Sequence, residues 1–163
     1  MPNMKVTVII PSFKRPLDLK RCLEGVAVQS RPANEVLVVG RREDTETWNV
    51  VSLLRQAMSV LRIVAVTEPG LIAALNCGLD NATGDLLVFT DDDAEPQRDW
   101  LTRIEASFDD DSIGAVGGRD WIQTPDEPRV PAPVSRVGVL TGTELSVVII
   151  TVLCEATRKG SCS

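Results

Sequence analysis

The sequence predicts an α/β fold: a three-layer sandwich in which a mostly parallel sheet carries helices on both faces. Three observations lead there. Short apolar runs rich in β-branched residues recur along the chain, segments with helical spacing lie between them, and the connections are short. Such alternation brings each strand back parallel to the last.

The elements follow in order. Lys5 to Ile10 (KVTVII) reads as a strand covered on both faces, ended by Pro11 and Ser12. Leu19, Cys22, Leu23, Val26 and Ala27 then fall three and four apart and make one helix face. Glu35 to Val39 is a second buried strand closed by Gly40, and Val50, Leu53, Leu54, Ala57, Met58 and Leu61 repeat the helical spacing. Arg62 to Val66 supplies a third strand. After Pro69-Gly70, a third helix is spaced by Leu71, Ala74, Leu75, Gly78, Leu79 and Ala82. Gly84-Asp85 turns into Leu86 to Phe89, a fourth strand running into Asp91-Asp92-Asp93. Pro96 suits the first turn of another helix, with Trp100, Leu101, Ile104 and Phe108 inward. Ile113 to Val116 reads as a fifth strand.

Beyond about residue 121 the character changes. Thr124 to Pro133 carries four prolines and reads as an extended linker; from Val134 onward there is no proline, aromatic or Asp. Leu145 to Leu153 has the composition of a buried strand. We therefore divide the chain into a domain over 1–122 and a linker with an atypical tail over 123–163.

Composition narrows the function. A chain of 163 residues with 44% hydrophobic and 25% charged residues has the makings of a folded core. A net charge of -6 lacks the cationic field that nucleic acid or an anionic membrane surface selects, so no nucleic-acid partner is expected. An anionic ligand remains compatible where a metal ion and local Arg or Lys reverse the sign. Four scattered cysteines without a CxxC pair, and no histidine, argue against zinc. No signal-like start is present, and Val147 to Leu153 is too short to span a bilayer, which takes about 20 helical residues. A reduced cytoplasmic setting is expected, with peripheral membrane attachment as an option.

Three strand ends carry candidate chemistry. Asp91-Asp92-Asp93 follows an apolar strand, where ligands of open α/β sheets bind. In extended backbone Asp91 and Asp93 share one side while Asp92 points elsewhere. A hard cation, Mg²⁺ or Mn²⁺, would relieve the repulsion among them and also take phosphate oxygens. The competing reading is a solvated turn that caps the helix near Pro96. Pro11 to Pro16 (PSFKRP) places backbone N–H groups, a hydroxyl and two cations beside that strand end, if strands one and four are neighbours. Arg41 and Arg42 after Gly40 could reach phosphate or stack on a base, or simply face solvent. Asn76 could hydrogen-bond a ligand, although its spacing favours solvent.

In order and spacing, VTVIIPSFKRP, EVLVVG, EPGLIAALNCGLDNATGDLLVFTDDDAEPQRDWL and IGAVGGRD resemble the inverting glycosyltransferases of family 2, over residues 4 to about 120. The resemblance implies a GT-A-like (Rossmann-like) fold that binds a nucleoside diphosphate sugar. Asp91 to Asp93 would be the DxD-type motif, with Asp91 and Asp93 on the metal and Asp91 and Asp92 near the donor. Pro11, Ser12 and Arg15 match the first nucleotide-contacting turn, and Asn76 and Gly78 match the segment beneath the donor. Arg41 is a further donor-site candidate. The implied reaction transfers the sugar to an acceptor hydroxyl, on a saccharide or a lipid-linked saccharide, with the metal steadying the leaving diphosphate.

Two departures stand out. Gly40 occupies the position where many members carry an acid that reads uracil. The carboxylate base that an inverting transfer needs has no family context at Glu144 or Glu155, and Asp120 is not assigned that role. The expectation is a shortened chain whose reading frame changes after about residue 139, with self-association as one way to cover an exposed core. A binding module without turnover is the alternative function. A receiver-like signalling domain, the third, would need acids at two strand ends and a later lysine.

Overall fold

The protein is described by a computed structural model covering residues 4–109, 113–117, 135–137 and 146–148. The elements are β1 (Val6–Pro11), α1 (Pro16–Ala27), β2 (Glu35–Arg41), α2 (Thr45–Leu54), β3 (Leu61–Val66), α3 (Leu71–Asn81), β4 (Leu86–Phe89), α4 (Trp100–Ala106), β5 (Ala115–Gly117), β6 (Ser135–Val137) and β7 (Ser146–Val148). The main sheet runs β3-β2-β1-β4-β7, and every pairing in it is parallel.

This order matters for function. The chain moves from β1 outward through β2 to β3, then crosses back to place β4 on the other side of β1. Loops leaving β1 and β4 therefore part in opposite directions and open a crevice at the carboxyl ends of those strands. The same order rules out the receiver-like arrangement, in which β3 lies next to β1.

Successive side chains in a strand face opposite layers, and both layers are apolar. Val6, Val8 and Ile10 of β1 pack with Val36 and Val38 under α1, α2 and α4, through Leu19, Leu23, Val51, Leu101 and Ile104. Ile9, Leu37, Val39, Leu87 and Phe89 face the other way, onto α3. The fit there is close. A methyl added at Gly78 would stand 2.5 Å from Ile9 Cγ2 and 3.3 Å from Val39 Cγ2, so α3 lies directly on the strands.

Three boundaries differ from the sequence expectation. Leu61 belongs to β3, and α2 ends at Leu54 with Leu53 68% exposed; only Thr47 and Val51 of that helix are buried. Helix α4 starts at Trp100, four residues past Pro96. Pro96 is buried against α1, where a methyl on Gly25 would meet its Cδ at 3.0 Å. The Gln29 side chain also fixes this loop, donating to Gln97 O (2.7 Å) and accepting from Leu101 N (3.1 Å). The third difference is β5, which leaves the main sheet and pairs antiparallel with β6. The linker at 124–133, Asp120, Glu144, Glu155 and the tail past Val148 lie outside the described residues.

Candidate functional site

Strand β1 ends at Pro11, and the segment to Pro16 is set by contacts on both sides. Ser12 N–H donates to Val39 O (2.9 Å), which extends the β1–β2 pairing by one residue. Lys14 takes a left-handed conformation (φ 57°), uncommon for a side chain with a Cβ. Asp44 holds it there, since its Oδ2 accepts from Lys14 N at 2.5 Å. The same carboxylate caps α2, accepting from Thr47 N (3.2 Å) and from the Thr47 hydroxyl (2.6 Å). Burial pushes the Asp44 carboxyl up, but the donated hydrogen bonds from Lys14 and Thr47 outweigh it, and the net position is below the ordinary value. Pro16 opens α1, and Arg15 occupies its N-cap without a side-chain cap bond, so the guanidinium serves another partner.

That partner is the acidic turn after β4. Ser12 Oγ donates to Asp92 Oδ2 at 2.8 Å, and both residues are buried. Arg15 Nη1 bridges Asp93 Oδ2 (3.0 Å) and Asp92 Oδ1 (3.4 Å). The β1 turn and the β4 turn are thus locked together at the crevice of the sheet. The Asp91 backbone carbonyl faces the Cys22 thiol at 3.4 Å on α1.

The backbone at the three acids is a turn and not the extended strand expected from sequence. The chain turns at Asp92 and Asp93, so Asp92 drops into the β1 turn while its neighbours stay part-exposed. Burial pushes the Asp92 carboxyl above its ordinary value; the Ser12 hydroxyl and Arg15 oppose this without cancelling it. Asp91 is also raised, first by burial and then by the nearby Asp93 carboxylate. Arg15 is held more firmly protonated, chiefly by the charge of Asp92.

A cleft of about 370 Å³ leads away from this cluster across the ends of β1, β2 and β3, with α3 as its far wall. That volume falls within the range of small-molecule sites. Pro11, Ser12, Arg15 and Asp92 line one end, while Arg41, Glu68 and Leu71 line the other. Gly70, in the left-handed region at φ 109°, turns the chain into α3 at the rim. Arg41 Nη2 pairs with Glu43 Oε1 at 2.6 Å, and its Nε is buried without an acceptor among the described residues. An unsatisfied donor of this kind costs on the order of 1–3 kcal/mol.

Of the residues singled out from sequence, Pro11, Ser12, Arg15, Arg41 and Asp92 therefore share one cleft, with Asp91 and Asp93 flanking Asp92 at its end. Asn76 does not join them: it is exposed on α3 and absent from the cleft lining. The sequence assigns no role to Asp44 or Glu68. An acid three residues ahead of a threonine at a helix start is a capping signal that could have found Asp44; Glu68 had none.

Among the described residues, no three His, Cys, Asp or Glu side chains are grouped to hold a metal ion. A magnesium-type ion needs no such cage, because one or two carboxylates suffice when phosphate oxygens and water complete the shell. Asp91 and Asp93 are hard oxygen donors, and the Asp93 carboxylate is close enough to raise the proton affinity of Asp91, so the pair fits that requirement.

Comparison with known proteins gives the family and the fold. The family model for Glycosyl transferase family 2 matches residues 7–151. This chain belongs to that family. Among curated relatives, Glycosyltransferase AglE of Haloferax volcanii is 32% identical over 116 residues, 69% of this chain and 38% of its own. Among solved structures, the mannosyltransferase PcManGT from Pyrobaculum calidifontis, in complex with GDP-Man and Mn²⁺, superposes with a TM-score of 0.64 at 31% identity. The match covers 70% of this chain and 34% of that one. S. aureus TarS 1-349 in complex with UDP-GlcNAc gives a TM-score of 0.59 at 25% identity, over 78% and 37% of the two chains. The fold is accordingly of the GT-A type, in a chain that spans little more than a third of the length of the curated relatives it matches. Among the described residues, no helix is long and apolar enough to cross a membrane.

Proposed function

We propose that this family 2 chain binds a nucleoside diphosphate sugar and takes part in transfer of the sugar to an acceptor hydroxyl, with a divalent cation. One observation carries the reading: Ser12 and Arg15 of the β1 turn meet Asp92 and Asp93 of the β4 turn, at the crevice where the strand order reverses. The diphosphate lies at that end of the cleft and the nucleoside extends over β1 and β2 toward Arg41. The donor unit falls within residues 1–122, and 123–163 begin the acceptor side.

Each residue has a stated task. Ser12 holds Asp92 in the turn, and Asp92 with Asp93 aims the Arg15 guanidinium at the crevice. Arg15, with most of its donors unengaged and its side chain 54% exposed, offers N–H groups to phosphate oxygens. Asp91 and Asp93 hold the cation, Mg²⁺ or Mn²⁺. When bound, that ion supplies Lewis-acid stabilisation of charge on the leaving diphosphate. Pro11 and Gly70 shape the walls. Asn76, exposed on α3 and outside the cleft lining, has no assigned donor contact.

Binding without turnover is the second reading, since no carboxylate among the described residues is assigned as the general base that transfer needs. Titration of GDP-, UDP- and dTDP-sugars with and without Mn²⁺ tests both. Metal-dependent binding with transfer or hydrolysis selects the enzyme, and metal-dependent binding alone selects the module. Failure of every donor to bind in the presence of metal removes the proposal.

A further inference from the structure

We infer that the base of the donor is guanine, read by Arg41 and Glu68 at the β2–β3 end of the cleft. The inference rests on the donor-site reading above, and it adds which nucleotide the site selects.

Placement comes first. With the diphosphate at the β1–β4 crevice, the base lies across the sheet toward β3, since strands are spaced by about 4.8 Å. Val39 and Arg41 are two apart on β2 and both line the cleft on its α3 side. Arg41 stands in register with Val66 of β3, and Glu68 follows two residues later. An arginine and a glutamate therefore share this end of the cleft.

Their chemistry comes next. The arginine is a planar fork of donors with no acceptor, and the ionised glutamate is a pair of acceptors with no donor. Glu43 anchors the Arg41 guanidinium through Nη2, and among the described residues its buried Nε has no acceptor. Among the described residues nothing pairs with Glu68. A base that satisfies both forks must offer two adjacent acceptors on one edge and two adjacent donors on the next. Guanine does, with N7 and O6 for arginine and N1–H with the 2-amino group for the carboxylate. Adenine sets its 6-amino donor beside N7, where the arginine fork would meet it. Uracil has one ring donor between two carbonyls, so it can engage each fork at only one point. Val66 and Leu71 supply the apolar lining on which the flat faces of a base lie.

The test uses the intact chain with Mn²⁺ present and measures affinity for GDP, IDP, UDP and ADP by calorimetry. GDP is expected to bind tighter than UDP and ADP by about tenfold or more, the discrimination a bidentate base contact gives. IDP differs from GDP only in lacking the 2-amino group, and should bind about tenfold more weakly for want of one contact to Glu68. In Glu68→Gln the GDP-to-IDP ratio should fall below about threefold, because the amide turns a donor toward the base. UDP or ADP binding as tightly as GDP overturns the inference, as does a GDP-to-IDP ratio unchanged in Glu68→Gln. Loss of affinity for all four nucleotides alike in the unmodified chain is a different result, and it overturns the donor-site reading beneath.

Discussion

Asp44→Asn isolates how the nucleotide-facing turn is held in shape. Asp44 is 4% exposed and accepts three hydrogen bonds, from Lys14 N, Thr47 N and the Thr47 hydroxyl. The asparagine keeps the size and one acceptor, but the bonds lose their charge assistance and the NH₂ must face a donor. Hydrogen bonds to a charged group contribute about 1.5–3 kcal/mol and neutral ones about 1 kcal/mol, so the expected loss is about 2–4 kcal/mol at pH 7. Its pH dependence has a definite sign. The folded-state carboxyl sits below its unfolded value, so the unfolded chain binds more protons in acid. Its contribution is complete above the ordinary aspartate value near 4 and fades as pH falls through the depressed one. Urea unfolding at pH 7 and at about pH 3 measures this, and the gap between wild type and Asp44→Asn should narrow in acid. A gap of the same size at both values, or one under about 0.5 kcal/mol at pH 7, would refute the reasoning.

Other variants probe separate links. Ser12→Ala removes the donor to buried Asp92 and should cost about 1.5–3 kcal/mol in urea unfolding, with weaker nucleotide binding as Arg15 loses its alignment. Gly78→Ala gains about 1 kcal/mol of helix propensity but crowds Ile9, where overpacking costs about 1–3 kcal/mol; a net loss by thermal melting is expected. Gly70→Ala should destabilise by about 1–2 kcal/mol although nothing lies within 4 Å of the new methyl, because φ 109° is the obstacle; a neutral result would show that the α3 entry relaxes freely. Asp93→Asn should weaken Mn²⁺-dependent nucleotide binding while leaving the melting profile near wild type, and unchanged binding would remove Asp93 from the cation's ligands.

Much of the fold was legible because burial on both faces of a parallel strand leaves a run such as VTVII or EVLVV with no other use. The ends of elements were harder. Leu61 continues a helical spacing in sequence yet pairs with Val36, a choice made by the neighbouring strand. Pro96 looks like a helix opener, but its contact with Gly25 of α1 and the bond from Gln29, just past that helix, to Gln97 O hold the loop open for four more residues. At the site, residue types were readable and directions were not. The local rule for extended chain sets Asp92 apart from Asp91 and Asp93 without saying where it goes, and its place is set by Ser12, 80 residues distant. At Asn76 the helical spacing, which favours solvent, agrees with its exposure on α3.

That separation of Ser12 from Asp92 also has a kinetic consequence. During synthesis, at roughly 5–20 residues per second, β1, α1 and β2 can emerge and pair while the partner of Ser12 is still untranslated. Closing so long a loop is entropically slow, and its contacts form only once the sheet has brought β4 to β1. Weakening the Ser12–Asp92 bond should therefore hasten unfolding far more than it delays folding. A growing chain carries most of its hydrophobic centre before it owns any place for a nucleotide.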